Sequence, residues 1–290
     1  VSEERVSIVV LTHNRWRELR RTLERLDAFC RGYPVIVVDN GSTDGTADHL
    51  QQEFPAVLLV RVGKNLGAAG RNHGVAQVTT PYVAFCDDDT CWAPGALERA
   101  ADLLDAHAEI AVLNARILVG ADARLDPACA AMAQSPLPAL AGIGPELVGF
   151  MAGANVMRTR SFMDAGGYWE PFFIGGGETL LSLDIMADGG RIVYAPDLET
   201  YHWPSKSRDA PLRRRMLARN ALWTAWLRLP AGMAARRSLA VLRDLPGWPE
   251  RLRACRDALA GWELIREHRR RLDPATCEKL NTVWQTEAAG

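Results

Sequence analysis

Three consecutive carboxylates, Asp87, Asp88 and Asp89, follow the apolar run "YVAFCD" and shortly precede a Pro-Gly step at Pro94-Gly95. Adjacent acids repel one another, and burying them is costly unless cations neutralise them. Hard oxygen donors of this kind suit Mg2+ or Mn2+, often shared with a substrate diphosphate. Acidic triplets are also ordinary in solvated loops, so the apolar strand before and the turn after are what set this one apart. Two other polar groups occupy comparable places: Thr12-His13-Asn14 closes "VSIVVLT", and Asp39-Asn40 closes "VIVVD". A carboxylate such as Asp39 can accept hydrogen bonds from a base N–H or from ribose hydroxyls. Any one of these groups alone reads as a turn or a helix N-cap. Three at one edge point to a ligand crevice. "NLGAAGRNHG" (65–74) opens a helix with glycines and carries Arg71. The glycines suit either close packing of helix on sheet or approach of the backbone to a nucleotide, with Arg71 near phosphate.

The elements that must hold these groups follow from the hydrophobic pattern. Val- and Ile-rich runs at 6–12, 35–39, 57–62, 82–87 and 110–118 read as buried strands. Helical patterns at 15–29, 45–54, 67–78 and 95–106 alternate with them. Unbroken apolar strands between amphipathic helices predict an α/β fold with a mostly parallel sheet covered on both faces. Such sheets bind ligands beyond the carboxyl ends of their strands. Residues 120–147 are rich in Ala, Pro and Gly and read as a loop or mobile segment. The pattern is helical from Pro211 onward, with breaks at Pro230 and at Pro246–Pro249. The first strand is not followed by G-x-G-x-x-G, which disfavours a dinucleotide fold, and no G-x-x-x-x-G-K-[ST] phosphate loop is present.

The chain has 290 residues, 48% of them hydrophobic and 24% charged, enough for one large domain or a domain with an appendage. Its net charge of −1 hides an asymmetry: residues 205–290 hold 18 Lys and Arg against 9 Asp and Glu, so the rest is acidic. A basic tail on an acidic body suggests an anionic partner or the body itself. No nucleic-acid recognition module is visible. The six cysteines form no CxxC pair, as expected of reduced thiols. The first residues read as a strand rather than a signal peptide. A cytoplasmic location is therefore expected, with peripheral contact to the inner membrane face as a further hypothesis.

Taken in order, "IVVLTHNR", "VIVVDNGSTDGT", "NLGAAGRNHG", "YVAFCDDDTCWAPGAL", "GGGETLLSLDIMADGGRIVYAPDLETYHW" and "RNALWTAWLR" resemble the successive motifs of glycosyltransferase family 2, of the GT-A fold. The resemblance covers about 6–229. It implies a catalytic domain at 1–204, with a nucleotide-sugar half at about 1–118 and an acceptor half at 119–204, and a basic helical extension at 205–290. It also implies metal-dependent, inverting transfer of a hexosyl or deoxyhexosyl group from a UDP, dTDP or GDP sugar to a glycan, lipid-linked or small-molecule acceptor, as in envelope or polysaccharide synthesis. The family pattern places Thr12, Asn14, Asp39, Arg71, Asp87 and Asp88 on the nucleotide-sugar side. It places Asp89, and in some members His202, on Mn2+ or Mg2+.

The base is harder to assign. Where the family usually reads G-E-D-x-D-L, this chain has Gly177, Glu178 and Leu180, so Glu178 is the one carboxylate left. Glu178 is the expected general base, with Asp184 as the alternative. The thinned motif keeps a second class in view, a non-catalytic nucleotide-sugar or glycan-binding relative. A nucleotidyltransferase ranks last, because its Gly-rich, Arg-containing phosphate loop is missing after the first strand. On the tail, Leu212, Met216, Trp223 and Leu227 form one helical stripe with Leu222, Trp226 and Leu229 beside it. Packing on the catalytic body is expected for most of that stripe. Membrane contact through Arg213, Arg214, Arg215, Arg219 and Arg228 is the competing expectation.

Overall fold

The computed structural model describes residues 5–204 and 210–289. In chain order the N-terminal half forms β1 (Val6–Thr12), α1 (Trp16–Phe29), β2 (Val35–Asp39), α2 (Thr46–Glu53), β3 (Leu58–Arg61), α3 (Gly70–Val75), β4 (Tyr82–Asp87), β5 (Thr90–Trp92), α4 (Ala96–Ala106) and β6 (Ile110–Val119). It continues through β7 (Arg124–Leu125), α5 (Pro127–Ala133), β8 (Ala139–Leu140), β9 (Gly144–Leu147), β10 (Asn155–Arg158), α6 (Thr159–Asp164), α7 (Gly177–Ala187) and β11 (Arg191–His202). Among the described residues five helices follow: α8 (Ala210–Arg228), α9 (Ala231–Arg243), α10 (Trp248–Leu259), α11 (Trp262–His268) and α12 (Pro274–Ala289).

The strands run in the order β3-β2-β1-β4-β10-β6-β11-β9-β8. β1 pairs in parallel with β2 and β4, as do β2 with β3 and β6 with β11. β10 runs antiparallel between β4 and β6, so the sheet is mostly parallel and continuous across both expected halves. The central strands are apolar throughout because each face has its own cover. Val6, Ile8 and Val10 of β1, with Ala84 and Cys86 of β4, pack with Leu19, Leu23 and Leu26 of α1 and Leu97 and Leu104 of α4. The alternate residues Val9, Val83 and Phe85 pack on the opposite face with Val75 of α3 and Leu181 and Ile185 of α7. Close packing accounts for two glycines of "NLGAAGRNHG". A Cβ on Gly74 would lie 2.7 Å from side-chain atoms of Val9 and Val38, and one on Gly70 2.7 Å from Leu11.

Residues 120–147 correct the expectation of a loop, since they hold β7, α5, β8 and β9. Helix α5 starts with Asp126, whose carboxylate accepts from the Ala128 N–H at 2.9 Å, and with Pro127 in the first turn. Both features favour helix initiation. The segment is then pinned by pairing of β7 with β6 and of β9 with β11.

The C-terminal helices are packed on the 119–204 half. Trp223 and Leu227 of α8 are buried with Leu180 of α7 and Phe172, and Leu229 with Leu183 of α7. The stripe predicted on α8 is therefore mostly interior, and only its first residue, Leu212, is as much as 38% exposed. The expected junction at 205 lies outside the described residues. Among the described residues no helix is long and apolar enough to cross a membrane.

Candidate active site

Strand alternation explains how three adjacent carboxylates can coexist. Asp87 is the last residue of β4 and lies in register with Leu11, while Thr12 lies in register with Asp39. By period two, Asp87 points to the face that carries Phe85, and so toward α3 and α7. Asp88 and Asp89 turn toward α1. The triplet is thus split between the two layers of the fold, and each side supplies its own cation.

On the α1 side, Arg15 reaches Asp88 Oδ1 at 2.5 Å and Asp89 Oδ2 at 3.0 Å. The two carboxylates are only 4% and 2% exposed, and the Arg15 guanidinium offsets part of the cost of burying them. Thr12 donates its hydroxyl to Asp88 Oδ2 at 3.0 Å, and Thr22 donates to the Asp88 carbonyl at 2.9 Å. Burial pushes the Asp88 carboxyl up to about 7, against the pull of Arg15. Sequence reasoning missed Arg15. The available signal was a basic residue directly after the polar strand end Thr12-His13-Asn14, at the mouth of the helix facing the triplet.

β5 brings His202 to the same place. It pairs antiparallel with the end of β11, Thr90 opposite His202, and the Trp203 N–H donates to the Asp89 carbonyl at 2.9 Å. His202 Nε2 then lies 3.6 Å from Asp89 Oδ1. Asp89 and His202 offer one oxygen and one nitrogen to a divalent cation. Among the described residues no group of three His, Cys, Asp or Glu could hold such an ion. The donor set suits a cation that takes its remaining ligands from phosphate oxygens and water, the usual habit of Mg2+.

On the other side, Arg71 is buried beneath Asp87 and makes an ion pair with it. Asp87 itself stays open, with its side chain 37% exposed. Burial alone would lower the Arg71 pKa, but Asp87, Tyr168 and Glu178 together raise it. Glu178, in the first turn of α7, is near enough to feel both Arg71 and Asp87. Burial raises its carboxyl above the ordinary glutamate range, with Asp87 adding to the effect and the Glu178 backbone N–H, Arg71 and Arg213 opposing it. Three buried donors around these carboxylates, Arg15 Nε, Arg71 Nε and Tyr168 Oη, lack a protein hydrogen-bond partner. Unsatisfied groups of this kind concentrate where a fold is shaped for something other than stability.

Packing explains the thinned base motif. A Cβ on Gly177 would lie 2.9 Å from the Tyr168 ring, which leaves little room for an acidic side chain there. Leu180 is 4% exposed, in the cluster of Phe172, Trp223 and Leu227. Asp184, the alternative base, stands apart from the group. Arg228 of α8 takes both its oxygens, Nε to Oδ1 at 2.5 Å and Nη2 to Oδ2 at 2.9 Å.

Asn14 and Asp39 lie at the carboxyl ends of β1 and β2 and both hold the turn after β2. Asn14 Oδ1 accepts from the Thr43 N–H at 2.7 Å, and Asp39 Oδ1 from the Ser42 N–H at 3.1 Å. Asn40, a residue not singled out as a binder, ties this turn to the next. Its amide donates to the Gly67 carbonyl at 2.9 Å and accepts from the Leu66 N–H at 3.0 Å. The mouth of α7 is held from the far side. Asn220 of α8 donates to the carbonyls of Phe172 at 2.9 Å, Ile174 at 3.2 Å and Gly175 at 2.6 Å. The "RNALW" motif therefore braces the turn that presents Glu178.

Comparison with known proteins bears on the family and the fold. The model of the family "Glycosyl transferase family 2" matches residues 7–167. An uncharacterized glycosyltransferase of Nostoc sp. is 29% identical over 43% of this chain, but the match spans only 40% of that protein's length. The N-acetylglucosaminyl-diphospho-decaprenol L-rhamnosyltransferase of Mycobacterium tuberculosis is 24% identical over 82% of this chain and 91% of its own. Among solved structures, a mannosyltransferase from Pyrobaculum calidifontis in complex with GDP-Man and Mn2+ superposes with a TM-score of 0.60 at 19% identity, covering 98% of this chain and 74% of that one. The superposition establishes a GT-A type fold. With the family match spanning more than half of its length, the chain is a glycosyltransferase and belongs to glycosyl transferase family 2.

Proposed function

We propose that this chain transfers a sugar, with inversion, from a nucleotide diphosphate donor to a hydroxyl of a lipid-linked acceptor in envelope glycan synthesis. One observation carries the reading: at the carboxyl edge of the sheet, Glu178 and the buried Arg71 lie beside the open carboxylate of Asp87 on one side of the triplet, and Asp89 and His202 meet on the other. The nucleotide lies over the ends of β1 and β2, where Thr12, Asn14 and Asp39 shape the floor, and the open Asp87 carboxylate accepts from ribose. Arg71 fixes Asp87 from below and does not itself reach phosphate. Asp88, fully enclosed, holds Arg15 and Thr12 in place. The family relationship and the GDP-Man complex of the Pyrobaculum calidifontis neighbour support a nucleotide-sugar donor. The lipid-linked acceptor is supported by the mycobacterial relative, whose match spans nearly its whole length.

In the reaction, an acceptor hydroxyl oxygen attacks the anomeric carbon from the face opposite the diphosphate. Its proton passes to Glu178, and the bond between the anomeric carbon and the diphosphate oxygen breaks with its electron pair leaving on the diphosphate. A glutamate whose carboxyl is raised by burial is a better proton acceptor than a solvated one at neutral pH. A divalent cation, held by Asp89 and His202, would neutralise charge on the departing diphosphate when bound.

A panel of UDP, dTDP and GDP sugars, scored by thermal shift with and without Mn2+, tests the donor side. One nucleotide class should raise the melting temperature in a Mn2+-dependent way. Asp89→Ala should remove the Mn2+-dependent part, and His202→Ala should reduce it less. Metal-dependent donor binding that survives undiminished in Asp89→Ala overturns the metal assignment, and no response to any nucleotide sugar overturns the donor reading.

A further inference from the structure

Of the five arginines of α8 named as a competing membrane contact, three are engaged within the protein, while Arg213 and Arg214 stay exposed. Arg215 pairs with Asp257 at 2.5 Å, Arg219 donates to the Pro171 and Phe172 carbonyls, and Arg228 holds Asp184. The outward apolar surface of the C-terminal helices lies instead on α10. Trp248, Leu252, Cys255 and Leu259 recur at spacings of four, three and four and so share one helical stripe. Trp248 is 72% exposed, Leu252 65% and Leu259 69%. Ala254, off this stripe, is buried with Leu222 of α8, so the stripe looks away from the body. Leu239 of α9, 49% exposed, faces it across a shallow groove that Trp248, Leu252 and Cys255 also line. Isolated apolar side chains on a surface mean little, but a contiguous stripe with a tryptophan at its end marks an interaction site.

The charge around the stripe says what kind. On the α10 wheel, Arg251 and Arg256 fall on either side of it, and Arg251 lies over the Trp248 ring at 5.8 Å. Arg243 and Arg253 are exposed nearby, and the opposing exposed acids are Asp244 and Glu250. Asp257 is already taken by Arg215. A second copy docking by two-fold symmetry would set these arginine rims against each other. An anionic bilayer accepts both parts at once: the Trp and Leu side chains enter the headgroup boundary while the arginines meet lipid phosphates. We propose that the α9–α10 face seats this protein peripherally on an anionic lipid surface. The proposal does not rest on the donor or acceptor reading, because its readout is lipid binding alone.

Sedimentation of the full chain with vesicles tests it. Vesicles of equal parts phosphatidylcholine and phosphatidylglycerol should capture the protein at low salt, phosphatidylcholine alone should not, and added salt should release it. Trp248→Ser with Leu252→Ser should abolish capture. Arg243→Glu with Arg253→Glu should weaken it by about tenfold or more. Both double variants should keep the wild-type melting temperature, because these side chains are exposed. On the wild type, hydrogen exchange should slow within 248–259 when anionic vesicles are added. Equal capture by both vesicle types, no capture, or unchanged capture by the Trp248/Leu252 variant overturns the proposal. So does a stable dimer of the free protein that the same variant dissociates, since a second copy would then cover the face.

Discussion

The two flanks of the acidic triplet solve one electrostatic problem in different ways. Toward α1, Asp88 and Asp89 are almost wholly enclosed and share the guanidinium of Arg15. Toward α3 and α7 the cation is the buried member: Arg71 is enclosed, and Asp87 remains more than a third exposed. The first arrangement fixes carboxylates in place at high electrostatic cost. The second fixes a guanidinium and leaves a carboxylate available beside Glu178. A run of three identical residues therefore occupies two environments, and strand parity divides them.

The largest effect should come from the closed flank. Arg15→Met removes the guanidinium that two enclosed carboxylates share and should cost about 3–5 kcal/mol. Chemical denaturation measures this directly, and an unchanged midpoint would mean that Asp88 and Asp89 are hydrated rather than enclosed. On the open flank, Arg71→Met should cost less, about 1–3 kcal/mol, because Asp87 can take water in exchange. Its kinetic effect should nevertheless be the greater of the two on ribose recognition, seen as weaker donor binding. If Arg71→Met proves as destabilising as Arg15→Met, the contrast between the flanks fails.

Two smaller effects sharpen the picture around α7. Asn220→Ala removes the side-chain amide that the Ile174, Gly175 and Phe172 carbonyls share, although Arg219 still donates to Phe172, and should cost about 1–3 kcal/mol. Turnover should fall with donor affinity kept, since the turn faces the acceptor side. The pH dependence of turnover should show an acid limb above the ordinary glutamate value of about 4.3, because burial raises the Glu178 carboxyl and the base must be ionised to act. The sign is fixed: activity rises with pH through that limb, and the limb should vanish in Glu178→Gln. A limb at the ordinary value would place Glu178 in water.

The central strands were legible because parallel strands covered on both faces leave nearly uninterrupted apolar runs. β1, β2 and β4 end where the polar residues begin. The polar strand ends also announced a common edge. What the sequence concealed was partnership across the fold. Arg15 pairs with residues more than seventy positions away, and a one-dimensional pattern carries no mark of that. Residues 120–147 misled for a related reason. Their short elements owe their form to pairing with β6 and β11 rather than to propensity, although Asp126-Pro127 was a readable helix start. On α8, hydrophobic periodicity correctly indicated a stripe but could not say whether protein or lipid covers it. Protein covers most of it, and the exposed stripe lies one helix pair further on.

The most direct test is single-turnover transfer by Glu178→Gln, measured alongside donor affinity. The substitution keeps shape and removes the charge that accepts the proton. Transfer should slow by about 10²–10⁴-fold, with donor affinity within about twofold of wild type. A variant that transfers sugar at the wild-type rate would contradict the assignment of Glu178 as the base.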